Sequence, residues 1–228
     1  MGLICSIILS KLKLAKGSLL LSFLCFSSII TVNSQETKFG IKAGFNYSSI
    51  LGDLTEGFKF RFSGHGGVFI VSRVNDKFAL QLELLYSSQG FQFSSDLESI
   101  ENNGITLDQN DFRTNVQLNY LTIPVIGKFA LNNRLDLEFG PQFGFLLNQV
   151  TKTKLLDQNN STPDDRNSVS GDFQLDYGVV AGIDFKINDK ISMAPRFYIG
   201  LRNRLNGLAG NLQNYNAAVQ LSVAYSAF

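Results

Sequence analysis

His65 is the single histidine of the chain, and it stands two residues after Ser63 and four after Arg61. On an extended backbone these three side chains share one face. A serine beside a histidine suggests a hydrolase, in which the imidazole takes the hydroxyl proton. That chemistry also needs a third group to orient the ring, and no single position supplies a convincing acid. The residues therefore predict a hydrogen-bonding histidine, no catalytic residue and no enzymatic activity. Both cysteines, Cys5 and Cys25, lie among the first 34 residues, so the rest of the chain has neither a thiolate nor a second imidazole for a zinc or copper site. No glycine-rich loop joins a strand to a helix, which leaves nucleotide binding unsupported. Neither a metal nor a cofactor is expected.

A second constellation is charged. Lys42, Arg61, Arg73, Glu83, Asp136, Glu138, Asp184, Arg196 and Arg202 each fall on the polar face of an alternating segment. Both signs are present, so one reading is a channel lined for a selected solute. The other is packing. In a barrel of about eight strands the interior is roughly filled by its own side chains, and charges there pair across the lumen. Because an unpaired buried ion costs several kcal/mol, Glu83 is expected to meet at least one Arg or Lys, in a structural network drawn from Arg61, Arg73, Asp136, Glu138, Asp184, Arg196 and Arg202.

The elements that position these groups are read from period-two alternation. Phe39, Ile41, Ala43, Phe45 and Tyr47 oppose Gly40, Lys42, Gly44 and Asn46. Phe58, Phe60, Phe62, Val68 and Ile70 oppose Lys59, Arg61, Ser63, His65 and Arg73. Phe78 to Tyr86 follows the same rule, with a bulge expected near 88–90 to return Phe91 and Phe93 to the apolar face. The segment 112–129 alternates poorly and contains Pro124, so its faces are unassigned. Three further segments, 135–148, 172–186 and 191–204, alternate clearly, and 216–225 closes the set.

Three similar turns punctuate these segments: Asn75-Asp76-Lys77, Asn132-Asn133-Arg134 and Asn188-Asp189-Lys190, spaced 57 and 56 residues apart. Asn and Asp tolerate the backbone of tight hairpins. Longer polar connections alternate with them, and two of these, 94–111 and 150–171, are acidic and amide-rich. Their carboxylates do not match the spacing of a calcium-binding EF-hand loop, and solvated loops are the ordinary reading. Short turns at one end and long loops at the other describe an all-β, eight-stranded antiparallel up-and-down transmembrane barrel with both termini periplasmic. Aromatic residues near the strand ends and at Phe228 agree with it. The rival from alternation alone is a soluble lipocalin-like barrel whose apolar face points inward to bind an apolar ligand.

Residues 1–34 read as a secretory signal peptide. Lys11, Lys13 and Lys16 precede an apolar run, and Val32 and Ser34 offer a loose small-residue cleavage site, leaving 35–228 as the barrel domain. Phe23 and Leu24, immediately before Cys25, argue against a lipoprotein site. Of 20 lysines and arginines, 17 remain beyond residue 34 against 19 acids, a formal net charge of −2 that gives no footprint for nucleic acid.

Four segments resemble the PorT-like outer-membrane β-barrel family of Gram-negative bacteria. Residues 82–90, Leu-Glu-Leu-Leu-Tyr-Ser-Ser-Gln-Gly, are similar to its Glu-Leu-x-Tyr-Ser…Gly strand. Residues 119–126, Asn-Tyr-Leu-Thr-Ile-Pro-Val-Ile, are similar to its Tyr-Leu-x-Ile-Pro strand, and 139–147 and 176–182 fit the segments that follow. The resemblance covers essentially 38–228. It implies a porin-family, integral outer-membrane barrel with a structural or surface-interaction role, in contact with outer-membrane lipid and the barrel assembly machinery. The family's namesake participates in protein secretion, so an accessory role there and an unidentified surface or secretion-system partner are expectations of the resemblance alone. A narrow passive channel is the alternative.

Overall fold

The computed structural model describes residues 37–53, 55, 58–94, 112–155, 165–169, 175–204 and 212–227. Residues 1–36, most of the long connections and Phe228 lie outside the described residues, and with them the segment 1–34 read as a signal peptide. Among the described residues nine strands form: β1 (Thr37–Gly52), β2 (Phe58–Arg73), β3 (Phe78–Ser94), β4 (Phe112–Ala130), β5 (Leu135–Leu155), β6 (Asp165–Val169), β7 (Leu175–Lys186), β8 (Ile191–Gly200) and β9 (Asn214–Ser226). Eight of them close a ring in the order β1-β2-β3-β4-β5-β7-β8-β9, every neighbour antiparallel, with β9 returning to β1. Closure removes the unpaired edges that an open sheet would leave. The ninth, β6, pairs with Gln149–Thr153 of β5, past Phe145, where the pairing with β7 ends.

The three tight turns share one construction. The amides of Val74 and Asn75 both donate to the Phe78 carbonyl, at 2.9 and 3.1 Å, and Leu131 with Asn132, and Ile187 with Asn188, repeat the pattern on Leu135 and Ile191. Within each turn the Asn side chain accepts the amide two residues on, at 2.8–2.9 Å, as an Asx turn does. The opposite end carries the connections 53–57, 95–111, 156–174 and 201–213, the first of which is nearly as short as the turns.

The apolar faces point outward. Phe62, Phe139 and Ile41 are 65%, 64% and 62% exposed, whereas Glu83, Glu138 and Arg196 are 1%, 2% and 3% exposed. In water each large exposed side chain would forgo about 1.5–3 kcal/mol of burial, so this surface belongs in hydrocarbon. The distribution overturns the soluble lipocalin alternative, which requires the apolar set inside.

Two sequence readings need correction or completion. First, β3 has no bulge at 88–90: its pairing with β4 runs in one register from Leu85 to Ser94, and Phe91 and Phe93 pack on the buried cluster of Val116, Leu118, Tyr120 and Leu146. The register shift is at the expected level, where Phe60–His65 of β2 faces Ser87–Phe91 of β3, but the extra residue is on β2. Gly90, at φ +134°, takes the backbone conformation open to glycine, and its amide and carbonyl both bond to Ser48 Oγ at 3.0 Å. Second, the faces of β4 become legible. Thr114, Val116, Leu118, Tyr120, Thr122, Pro124 and Ile126 are all buried. From Tyr120 to Ile126 both faces of β4 are apolar but for Thr122, which is why its alternation was obscure.

Three prolines sit within closed ladders that have no edge to receive them. The β3–β4 pairing skips Glu83 and Leu84 near Pro124, β4–β5 skips Val125 and Ile126 near Pro141, and β7–β8 skips Ile183 and Asp184 opposite Ala194 and Pro195. Each gap follows from the missing proline amide.

Candidate functional site: an ion cluster across the lumen

The alternation that turns phenylalanines outward turns charges inward, and the barrel brings six of them together. Arg196 on β8 donates from Nη1 and Nη2 to the two Glu83 oxygens on β3, at 3.0 and 2.8 Å. The same guanidinium donates from Nε and Nη2 to Glu138 on β5, at 2.5 and 3.0 Å. Lys42 on β1 pairs with Glu83 at 2.9 Å. Lys128 on β4 lies 3.3 Å from Glu138 and also pairs with Asp184 on β7. Gln81 joins the two halves, donating to Glu83 at 2.5 Å and accepting from Lys128 at 3.2 Å.

This arrangement has two consequences. Three cations face three carboxylates, so the cluster is formally neutral, as a buried ionic assembly must be to avoid a large desolvation cost. It also crosses the barrel. In the ring of eight strands β3 and β8 stand four places apart, on opposite walls, so the Arg196–Glu83 fork spans the lumen. Arginine suits this position because its planar fork meets two carboxylates in fixed geometry, which a lysine ammonium would not. Gly182 on β7 makes room for it: a methyl there would lie 2.8 Å from Arg196 Cγ and 2.5 Å from the Pro195 carbonyl oxygen.

Further buried layers adjoin the cluster. Ile126, Val180, Tyr198 and Ala218 form an apolar group inside the lumen. Asn46 Nδ2 donates to Ser87 Oγ and the Ser88 carbonyl at 3.0 and 2.8 Å, which leaves its Oδ1 to accept from His65 Nδ1 at 2.8 Å. That donation makes Nδ1 the protonated nitrogen, and His65 Nε2 meets Ser222 Oγ at 2.8 Å. Ser63 is turned away, donating to the Ser88 carbonyl at 2.6 Å. The serine that meets the histidine is thus on β9, 157 residues away, and both partners are buried. A third network joins Tyr120, Asp176, Tyr198, Asn216 and Arg204: Tyr198 and Asn216 both donate to Asp176 Oδ2, at 3.0 and 2.7 Å.

Of the residues expected in the lumen network, Glu83, Glu138, Asp184 and Arg196 meet in the cluster. Asp136 is buried but pairs with Lys186 at 2.8 Å, a separate pair nearer the short turns. Arg61 is not in the cluster: it donates to Asn115 Oδ1 at 2.9 Å and to Ser88 and Gln89. Arg73 is exposed at the end of β2, and Arg202 lies past the end of β8, where it donates to the Leu175 carbonyl. Parity placed all three on the polar face but said nothing of their height along the barrel. Lys128 was missed because the faces of its segment were unassigned. Among the described residues, no group of three or more His, Cys, Asp or Glu is arranged to hold a metal ion.

An exposed apolar belt around a closed eight-stranded ring with a charged, packed interior defines an outer-membrane β-barrel. Residues 33–206 match the family described as outer membrane protein beta-barrel domain, and the chain belongs to that family. No curated protein matches the sequence. Among solved structures the chain is similar to Neisserial surface protein A (NspA), at TM-score 0.44 and 10% identity over 83% of this chain and 98% of that one. It is also similar to Ail, the attachment invasion locus protein of Yersinia pestis, at TM-score 0.45 and 13% identity over 84% and 99%. A major outer membrane protein from Thermus thermophilus gives TM-score 0.46 and 13% identity over 83% and 98%.

Proposed function

We propose that this barrel is an outer-membrane protein with a structural or surface-interaction role, exported by residues 1–34 as a cleaved leader and inserted with its short turns on the periplasmic side. The observation that carries the reading is the Arg196 fork, which reaches Glu83 on the opposite wall and Glu138 two strands away and occupies the lumen at that level. A barrel closed in this way serves as a platform rather than a pore. Its contacts with other molecules then fall to the long-connection end, where β5 and β6 continue past the start of β7. Partners on this reading are membrane lipid, the machinery that inserts barrels, and a surface protein docked on that end.

The test is conductance in planar bilayers together with protease access in intact cells. The wild type is expected to show no steady conductance, with cleavage confined to the long connections. A large, steady conductance from the wild-type barrel would overturn the closed-platform reading and favour the channel.

A further inference from the structure

The three tight turns are built alike beyond what hairpin closure requires. Each runs apolar residue, Asn, Asp or Asn, then Lys or Arg: 74–77, 131–134 and 187–190. The carbonyl of the basic residue is fixed to the neighbouring strand each time, Lys77 to the Ala130 amide, Arg134 to Lys186 and Lys190 to Ser226, all at 2.8 Å. The Asn side chain holds the amide of the same residue from within the turn. Lys77, Arg134 and Lys190 are therefore anchored through both main-chain groups, while their side chains are exposed.

The first residue of each turn sets the depth. Val74, Leu131 and Ile187 are 46%, 50% and 56% exposed, and each stands within four residues of an exposed phenylalanine, Phe78, Phe129 or Phe185. An apolar side chain exposed beside the lipid belt, three residues before a basic one, places the turn in the membrane boundary rather than beyond it. Long cationic side chains at that level extend towards the headgroups.

Charge separates the two ends of the molecule. The connections 53–57, 95–111, 156–174 and 201–213 hold eleven acids and three basic residues. The three turns hold three basic residues and two acids, Asp76 and Asp189, with Lys38 and Arg73 near strand ends close by. Lys59, Arg113, Lys152 and Lys154 stand likewise near strand ends at the other end, where the acids still outnumber the cations. Inside the barrel the charges of the cluster cancel, so the turn cations are not required by a buried carboxylate.

We propose that Lys77, Arg134 and Lys190 form a collar that binds the phosphate headgroups of anionic phospholipid at the short-turn end. This rests on the reading of the chain as a membrane-inserted barrel. Near a membrane surface each basic residue favours an anionic headgroup by about fivefold, and the preference weakens as salt screens exposed charge.

The test is to fold the full barrel into vesicles of phosphatidylcholine with a minor fraction of phosphatidylglycerol of the same acyl chains. Spin-labelled versions of the two lipids then report which is enriched around the protein. The comparison protein is Lys77→Gln/Arg134→Gln/Lys190→Gln, which leaves every Asn cap and carbonyl anchor in place. Gel migration before and after boiling reports insertion separately. The expected result is several-fold phosphatidylglycerol enrichment around the wild type, lost in the triple variant and reduced at high salt, with insertion unchanged. Equal enrichment around both inserted proteins, or none around the wild type, would overturn the collar and leave the barrel standing. Failure of the wild type to insert into either lipid would instead refute the membrane reading on which it rests.

Discussion

Replacing Arg196 by methionine removes a guanidinium that makes four hydrogen bonds to two carboxylates at 2.5–3.0 Å while keeping most of the side-chain stem. Glu83 keeps Lys42 at 2.9 Å and Gln81 at 2.5 Å, but Glu138 is left with Lys128 at 3.3 Å. The cluster passes from three cations and three anions to two and three, a net buried negative charge. Removing one partner of a buried ion pair costs about 3–5 kcal/mol, and the upper half of that range fits a residue serving two carboxylates. Neutrality is the physical cause, so a compensating change should recover much of the loss. In Arg196→Met/Glu138→Gln, the pairs Lys42–Glu83 and Lys128–Asp184 remain and the charge returns to zero. The double variant should be more stable than Arg196→Met alone, with a coupling of about 1–3 kcal/mol between the two sites. The assay is urea unfolding in detergent micelles, followed by circular dichroism and by unboiled gel migration, because the chain has no tryptophan. If Arg196→Met lies within about 0.5 kcal/mol of the wild type, or the two substitutions simply add, the neutrality argument is wrong.

Other perturbations test the faces, the packing and the lumen. Leu221→Arg and Phe143→Arg put a charge on side chains that are 45% and 40% exposed on the apolar belt, and each should cost about 2–4 kcal/mol and impair insertion; normal assembly of both would contradict the face assignment. In Gly182→Ala the new methyl meets the Pro195 carbonyl at 2.5 Å and Arg196 Cγ at 2.8 Å, and overpacking of about 1–3 kcal/mol should lower the urea midpoint. Glu83→Gln removes the carboxylate that Lys42 and Arg196 share, and it should weaken folding without opening a conductance; a large conductance with unchanged stability would restore the channel.

Much of this protein was legible from alternation and turn chemistry because both are local. A residue's parity says which wall face it takes, so Phe39, Phe143 and Leu221 could be placed outside, and Glu83, Glu138 and Arg196 inside, from a few neighbours. The Asn-Asx-Lys/Arg turns were likewise readable, since an Asn side chain caps its own turn. Where both faces are apolar the pattern carries no phase, which hid the faces of β4 and with them Lys128. Parity also stops at the face: it cannot say that Arg61, Arg73 and Arg202 sit at other heights from Arg196. Which inward charges meet depends on closure and register, which bring Arg196 to Glu83 across 113 residues and His65 to Ser222 across 157. By itself the sequence determined the eight strands of the ring, the faces of all but β4 and the far end of β3, and the tight turns. Only the closed ring decided the partners, because opposite walls of a barrel have no local signal in the chain and meet only when β9 returns to β1.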